Sequence, residues 1–87
     1  MLEEMLNQKV VVDMMSPYVC LGTLVRADAL SLELRNADLH DLRDTGTTRE
    51  NYVAAARTTG IRRNRRRVLV VRSEVVAVGL LEDVVDV

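Results

Sequence analysis

The chain has 87 residues, 48% of them apolar and 29% charged, with a formal net charge of −1. That length holds one domain and not two, and that apolar share is too high for a disordered chain. No apolar run approaches the roughly 18 residues that span a bilayer, so no membrane helix is expected.

Residues 2–8, LEEMLNQ, predict a short N-terminal helix. Leu2, Met5 and Leu6 recur at helical spacing, and Glu3 and Glu4 occupy the first turn, where the helix dipole favours acids. Residues 9–15, KVVVDMM, predict a strand, β1, which Ser16-Pro17 breaks. Pro17 has no N–H for a ladder and pushes Ser16 out of helical angles. Residues 18–27, YVCLGTLVRA, predict β2. Gly22 inside it marks a bend or a close backbone approach. Asp28-Ala29 makes a turn into β3 at 30–35, LSLELR, where Leu30, Leu32 and Leu34 alternate with Ser31, Glu33 and Arg35. Alternation of this kind is the mark of a half-buried strand. Continuing β3 through Leu39 and Leu42 would make Asn36-Ala37 a bulge.

Residues 45–64 change character, with Gly46, Gly60 and five threonines. Thr47 and Glu50 have capping-box spacing, and Gly60 suits the position just past a helix end. A helix at about 48–58 is expected, barely amphipathic and leaning on a neighbour. Residues 65–72, RRRVLVVR, predict β4, and 75–81, VVAVGLL, predict β5, with Ser73-Glu74 between them. The tail from 82 to 87 alternates acidic and apolar residues, as a further edge strand would.

This order predicts a single mostly β domain over 1–87. Its architecture is a five-stranded antiparallel barrel with an N-terminal helix and a helical insertion, about 45–64, between β3 and β4. Tight links between antiparallel neighbours suit a small barrel better than a sandwich, which needs more strands. A domain this small buries only roughly 60–65% of its unfolded surface, so self-association would help its stability. Met5, Met14 and Met15 are read as core fillers. Cys20, the single cysteine, sits among apolar residues and is read as a buried, inert thiol. The first eight residues carry Glu3 and Glu4 and lack a basic segment, so they do not read as a signal peptide. With no disulfide within the chain and no membrane helix, the expected location is the cytoplasm.

Charge is uneven along the chain. Residues 1–44 hold eight acids and four bases, whereas 57–72 hold seven arginines and no acid. Arg62, Arg63, Arg65 and Arg66, with Arg67, form the densest cationic run. Arginine holds phosphates by bidentate pairs. The bland alternative is a solvated loop that pairs with acids of the chain or of a neighbouring subunit. Asp38, His40, Asp41 and Asp44 are the one carboxylate–histidine cluster, and a solvated strand edge explains them better than a metal site. No metal and no other cofactor is expected. Phosphate loops, paired cysteines and nucleophile elbows are missing, so a catalytic role is not expected.

The chain resembles the Sm-like (LSm) family over most of residues 2–84, and is similar to its divergent bacterial and phage-type members. Gly22-Thr23-Leu24 matches the Gly-x-Leu of the family's first motif, and Asp28 falls at its Asp. Ser31 takes the place of the family's Asn if the turn is one residue shorter, and Leu32 does so otherwise. Val70-Val71-Arg72-Ser73 followed by Glu74-Val75-Val76-Ala77-Val78 resembles the second motif, with Ser73 where Gly is usual. The resemblance implies a base pocket for single-stranded RNA, usually for uracil. In it Arg72 stacks, Asp28 holds the turn, Ala29 or Leu30 is the second plate and Ser31 supplies one hydrogen bond. It also implies a homo-oligomeric ring of about five to seven subunits, closed by β4 of one copy pairing with β5 of the next. Two functions stay open: an RNA-binding module, or a structural and protein-interaction ring that has lost the pocket. Another small barrel, of SH3 or PRC type, is the alternative fold.

Overall fold

The structure, a computed structural model, describes residues 2–85. Five strands run in chain order as β1 (Lys9–Met14), β2 (Tyr18–Ala27), β3 (Ser31–Asp41), β4 (Arg65–Val71) and β5 (Val75–Leu80). A helix, α1 (Arg49–Thr59), lies between β3 and β4. All five strands join one sheet in the order β4-β3-β2-β1-β5. Every observed pairing is antiparallel. β4 and β5 are the two ends of that order and do not pair with each other, so the sheet is not closed.

The valines of β1 are buried on both faces of the sheet. Val10 and Val12 join Cys20, Leu24, Leu32, Leu34, Ala37 and Val70 in one core, and Leu2, Met5 and Leu6 pack onto its edge. Val11 faces the other way, with Val19, Leu21, Leu81, Val53 and Ala56. Those last two belong to α1, so the helix caps a second core instead of merely leaning on the sheet. The period-2 geometry of a strand sends alternate residues of β1 and β2 to opposite cores.

Several expectations are corrected. The N-terminal helix is a four-residue 3-10 helix, Leu2–Met5. It stops because Asn7 turns left-handed (φ 66) and its N–H donates to the Leu24 carbonyl at 2.6 Å, which ties the chain to β2. The cap of α1 is Thr48, whose hydroxyl accepts from Asn51 N at 3.1 Å, so Thr47 and Glu50 do not frame the helix as read. The tail forms a 3-10 turn at Leu81–Asp83 where an edge strand was expected, and residues 86 and 87 lie outside the described ones. Met15 lies past the end of β1 and is exposed. Leu30 belongs to the β2–β3 turn instead of the buried face and is 79% exposed.

β3 runs unbroken to Asp41 because a bulge absorbs the mismatch with β2. Leu21 pairs with Asp38 and Thr23 with Arg35, so Asn36 and Ala37 together oppose Gly22. Asn36 takes φ 50, a left-handed conformation that asparagine tolerates. α1 is held by Tyr52, whose hydroxyl donates to Asp38 Oδ2, and by Arg49, paired with Asp13 of β1. Among the described residues, no helix is long and apolar enough to cross a membrane.

Candidate nucleic-acid interface

The β2–β3 turn is built around the Asp28 carboxylate. Its Oδ1 accepts from Leu30 N and Ser31 N, both at 2.9 Å. The Asp28 N–H donates to the Ser31 carbonyl at 3.0 Å. A short polar side chain in a turn satisfies the backbone in this way. The N–H of Leu30, then that of Ser31, holds the Asp28 carboxyl below its ordinary 3.8, and Arg26 adds a weaker pull from 3.9 Å.

Arg72 reaches the same turn from 44 positions along the chain. Its N–H donates to Leu30 O at 2.9 Å, which extends the β3–β4 ladder one step beyond the Ser31–Val71 pair. Its guanidinium donates from Nη1 to the Asp28 carbonyl. Asp28, Leu30, Ser31 and Arg72 therefore share one corner, with Ser73 exposed in the adjoining 3-10 turn, Arg72–Glu74. Leu32 is 1% exposed in the core, so the residue presented at this corner is Ser31. Beside it is a recess of about 100 Å3 lined by Arg26, Asp28, Ser31, Glu33, Arg67 and Leu69. Glu33 accepts from Arg67 Nε at 2.8 Å and Arg35 Nε at 3.3 Å, and Arg67 does most to lower its carboxyl's pKa. The recess thus holds two bases and two acids, and charge alone gives it little pull on phosphate.

The other predicted contacts are elsewhere. Ser31 pairs with Val71 and Ala37 with Arg65, six positions further along β3. At about 3.3 Å per residue this sets Arg65 roughly 20 Å from the corner. Arg62, Arg63, Arg65 and Arg66 gather there, at the far end of β4, and all four are exposed. The sequence offered both sets as RNA contacts, phosphate-holding arginines and a base pocket, and the structure sets them apart along the strand.

Asp38 and His40 point to the α1 side of the sheet. Asp38 is 2% exposed and takes hydrogen bonds from Tyr52 Oη and from Asn64 Nδ2, the latter at 3.2 Å. The His40 ring stacks on Tyr52 with centroids 3.9 Å apart. Burial, then the bond to Asp38, raises the Tyr52 phenol's pKa and keeps it a donor. Asp41 caps the following turn, accepting from Arg43 N at 2.9 Å and pairing with its guanidinium. The partners of Asp38 and Asp41 are therefore protein groups, whereas His40 Nε2 is buried without a hydrogen-bond partner among the described residues. Cys20 is wholly buried, and burial, with a smaller push from Asp38, raises its thiol to about 12.

Sequence reasoning missed Asn64. Its side chain behaves like a piece of strand, accepting from Leu39 N and donating to Leu39 O, each at 3.0 Å. Its N–H donates to Ala37 O at 2.8 Å. A lone asparagine among five arginines was the available signal, since an amide alone there both donates and accepts.

No family model matches the chain, and no curated protein does. Among solved structures it is similar to a Pyrococcus abyssii Sm protein in complex with a uridine heptamer. The match has a TM-score of 0.63, covers 91% of this chain and 90% of that one, and shows 15% identity. The chain therefore has an Sm-like fold.

Proposed function

We propose that the protein is an Sm-like, RNA-associated module that binds single-stranded RNA at the corner of Asp28, Leu30, Ser31 and Arg72. In this reading it is a binding module of the cytoplasm and not an enzyme. The observation that carries it is the Arg72 guanidinium fastened to the Asp28 carbonyl, which brings two segments distant in sequence onto one exposed corner. The match to an Sm protein complexed with a uridine heptamer supports it. Arg72 offers a planar cation for stacking, Leu30 an apolar plate and Ser31 a single hydroxyl.

The sheet's two free edges support assembly. Leu69 and Val71 on β4 and Val76 on β5 are 51%, 57% and 65% exposed. Apolar edges with unpaired backbone groups template strand addition. Pairing β4 of one copy with β5 of the next satisfies both edges and closes the sheet into a barrel-like ring of about five to seven subunits.

Fluorescence anisotropy with oligo-U, oligo-A and a random RNA, at low and physiological salt, tests the reading. Light scattering on the same samples reports the assembly. Preferential binding of U that persists in salt is expected. The substitution Arg72→Ala should weaken it by at least tenfold, about the 1.4 kcal/mol of one charge-assisted contact. Unchanged affinity in that variant would remove the corner from RNA binding. A ring that binds no RNA at either salt would instead be an interaction scaffold.

A further inference from the structure

The arginines at the far end of β4 differ from most others in the chain. Arg26, Arg35, Arg43, Arg49 and Arg67 each lie within 4.0 Å of a carboxylate oxygen. Among the described residues no carboxylate pairs with Arg62, Arg63, Arg65 or Arg66, although the chain contains 13 acids. Like charges held together without counter-charges destabilise a fold. A run of this kind is relieved by an external polyanion.

Three of these side chains, those of Arg63, Arg65 and Arg66, also line an open cleft. Arg35, Asn36, Arg63, Asn64, Arg65 and Arg66 enclose about 650 Å3 of open space, with no acid in the lining. One wall is the β3 bulge, where Asn36 is left-handed (φ 50). The other is the chain entering β4, clamped by the bonds of Asn64 to Ala37, Asp38 and Leu39. Arg63 Nη1 approaches Asn36 Oδ1 at 3.4 Å across the gap. The backbone carrying the cations is thus already fixed, which lowers the ordering cost of binding.

The geometry points to a second, base-indifferent nucleic-acid site in this cleft, one that grips the phosphodiester backbone. Arginine forks match phosphate oxygens bidentately. No aromatic ring lines the cleft and no amide is free of the Asn64 clamp except that of Asn36, so base edges go largely unread. The site stands roughly 20 Å along β4 from the Arg72 corner and does not depend on it.

A short RNA duplex, and a DNA duplex of the same sequence, isolate this site because their bases are stacked and paired. With the full chain, both should bind at low salt and weaken as salt rises. Arg63→Ala with Arg66→Ala should weaken binding at least tenfold. On the DNA arm it should also flatten the slope of log K against log salt by about 1.8, or ~0.9 for each phosphate no longer neutralised. Lysine at both positions should keep most of the slope, and Arg72→Ala should leave duplex binding unchanged. Binding of RNA but not DNA would assign the cleft to A-form backbone spacing and still support it. The proposal is overturned if neither duplex binds at low salt. It is equally overturned if the double alanine variant keeps affinity and slope, or if it changes only the subunit number, which would give the arginines to a neighbouring copy.

Discussion

Gly22 is where the sheet leaves no room for a side chain, and Gly22→Ala measures how tightly the β3 bulge is packed. A Cβ there would sit 3.0 Å from Ala37 Cβ, 3.1 Å from Ala37 Cα and 3.1 Å from Arg35 O. Two of those three atoms are backbone, and Ala37 is 0% exposed, so nothing flexible can move aside. Overpacking of this kind costs about 1–3 kcal/mol. For a domain of this size each kcal/mol lowers Tm by roughly 4–8 °C. Thermal melts followed by circular dichroism, at one protomer concentration because assembly shifts Tm, should show a fall of at least about 4 °C. Adding Ala37→Gly takes away the nearest of those atoms, the Ala37 Cβ. The double variant should then be less destabilised than the sum of the two single ones, a coupling expected only between touching residues. A Gly22→Ala melt within about 1 °C of the parent would mean that the bulge absorbs the methyl and that the close approach is not a constraint.

Two further outcomes test the site's supports. Tyr52→Phe deletes the hydroxyl bound to Asp38 and leaves that buried carboxyl with Asn64 Nδ2 at 3.2 Å. The loss of a bond to such a group is about 1.5–3 kcal/mol. It should appear as a lower Tm together with faster hydrogen exchange in α1, and unchanged exchange would mean that Val53 and Ala56 alone hold the helix. The pKa of Asp28 is depressed by the Leu30 and Ser31 N–H groups, and that of Glu33 chiefly by Arg67. A carboxyl depressed on folding stabilises above its unfolded value and loses that stabilisation as pH falls through its folded one. Melts should therefore be flat from neutrality to about pH 5 and fall below about pH 4. Asp28→Asn should have a shallower acid limb, and an identical limb would show that the turn does not titrate.

The strands were legible because their apolar residues alternate or run continuously between unambiguous breaks at Ser16-Pro17 and Asp28. Predicted and observed bounds of β1, β2, β4 and β5 differ by a residue at most, and α1 by one at each end. What the sequence hid is long-range. Leu30 continues the Leu32, Leu34 alternation, but its N–H is taken by the Asp28 carboxylate and its side chain lies exposed in the turn. The second core was hidden because Val53 and Ala56 give α1 a narrow apolar stripe, and its partners Val19, Leu21 and Leu81 come from distant segments. The corner was read from a family resemblance, since no spacing rule links Asp28 to Arg72. The separation of the two arginine groups needs the β3–β4 register, which no local pattern contains.

The packing itself confines where this molecule can act. Both faces of the sheet are used, one by the core around Val10, Val12 and Leu34 and the other by α1 on Val11, Val19 and Leu21. Two strand edges and two strand ends are open. The edges carry exposed apolar residues, Leu69, Val71 and Val76, and are chemically suited to another β-strand. The ends carry charge and exposed turns, and are suited to solvated ligands. Assembly and binding meet on the edge strand β4, where Leu69 lines the corner recess and Arg65 and Arg66 line the basic cleft. β4 thus carries one free edge, with the Arg72 corner just past its last residue, Val71, and the basic cleft at its first. RNA affinity should therefore rise with assembly through the repetition of both sites around the ring.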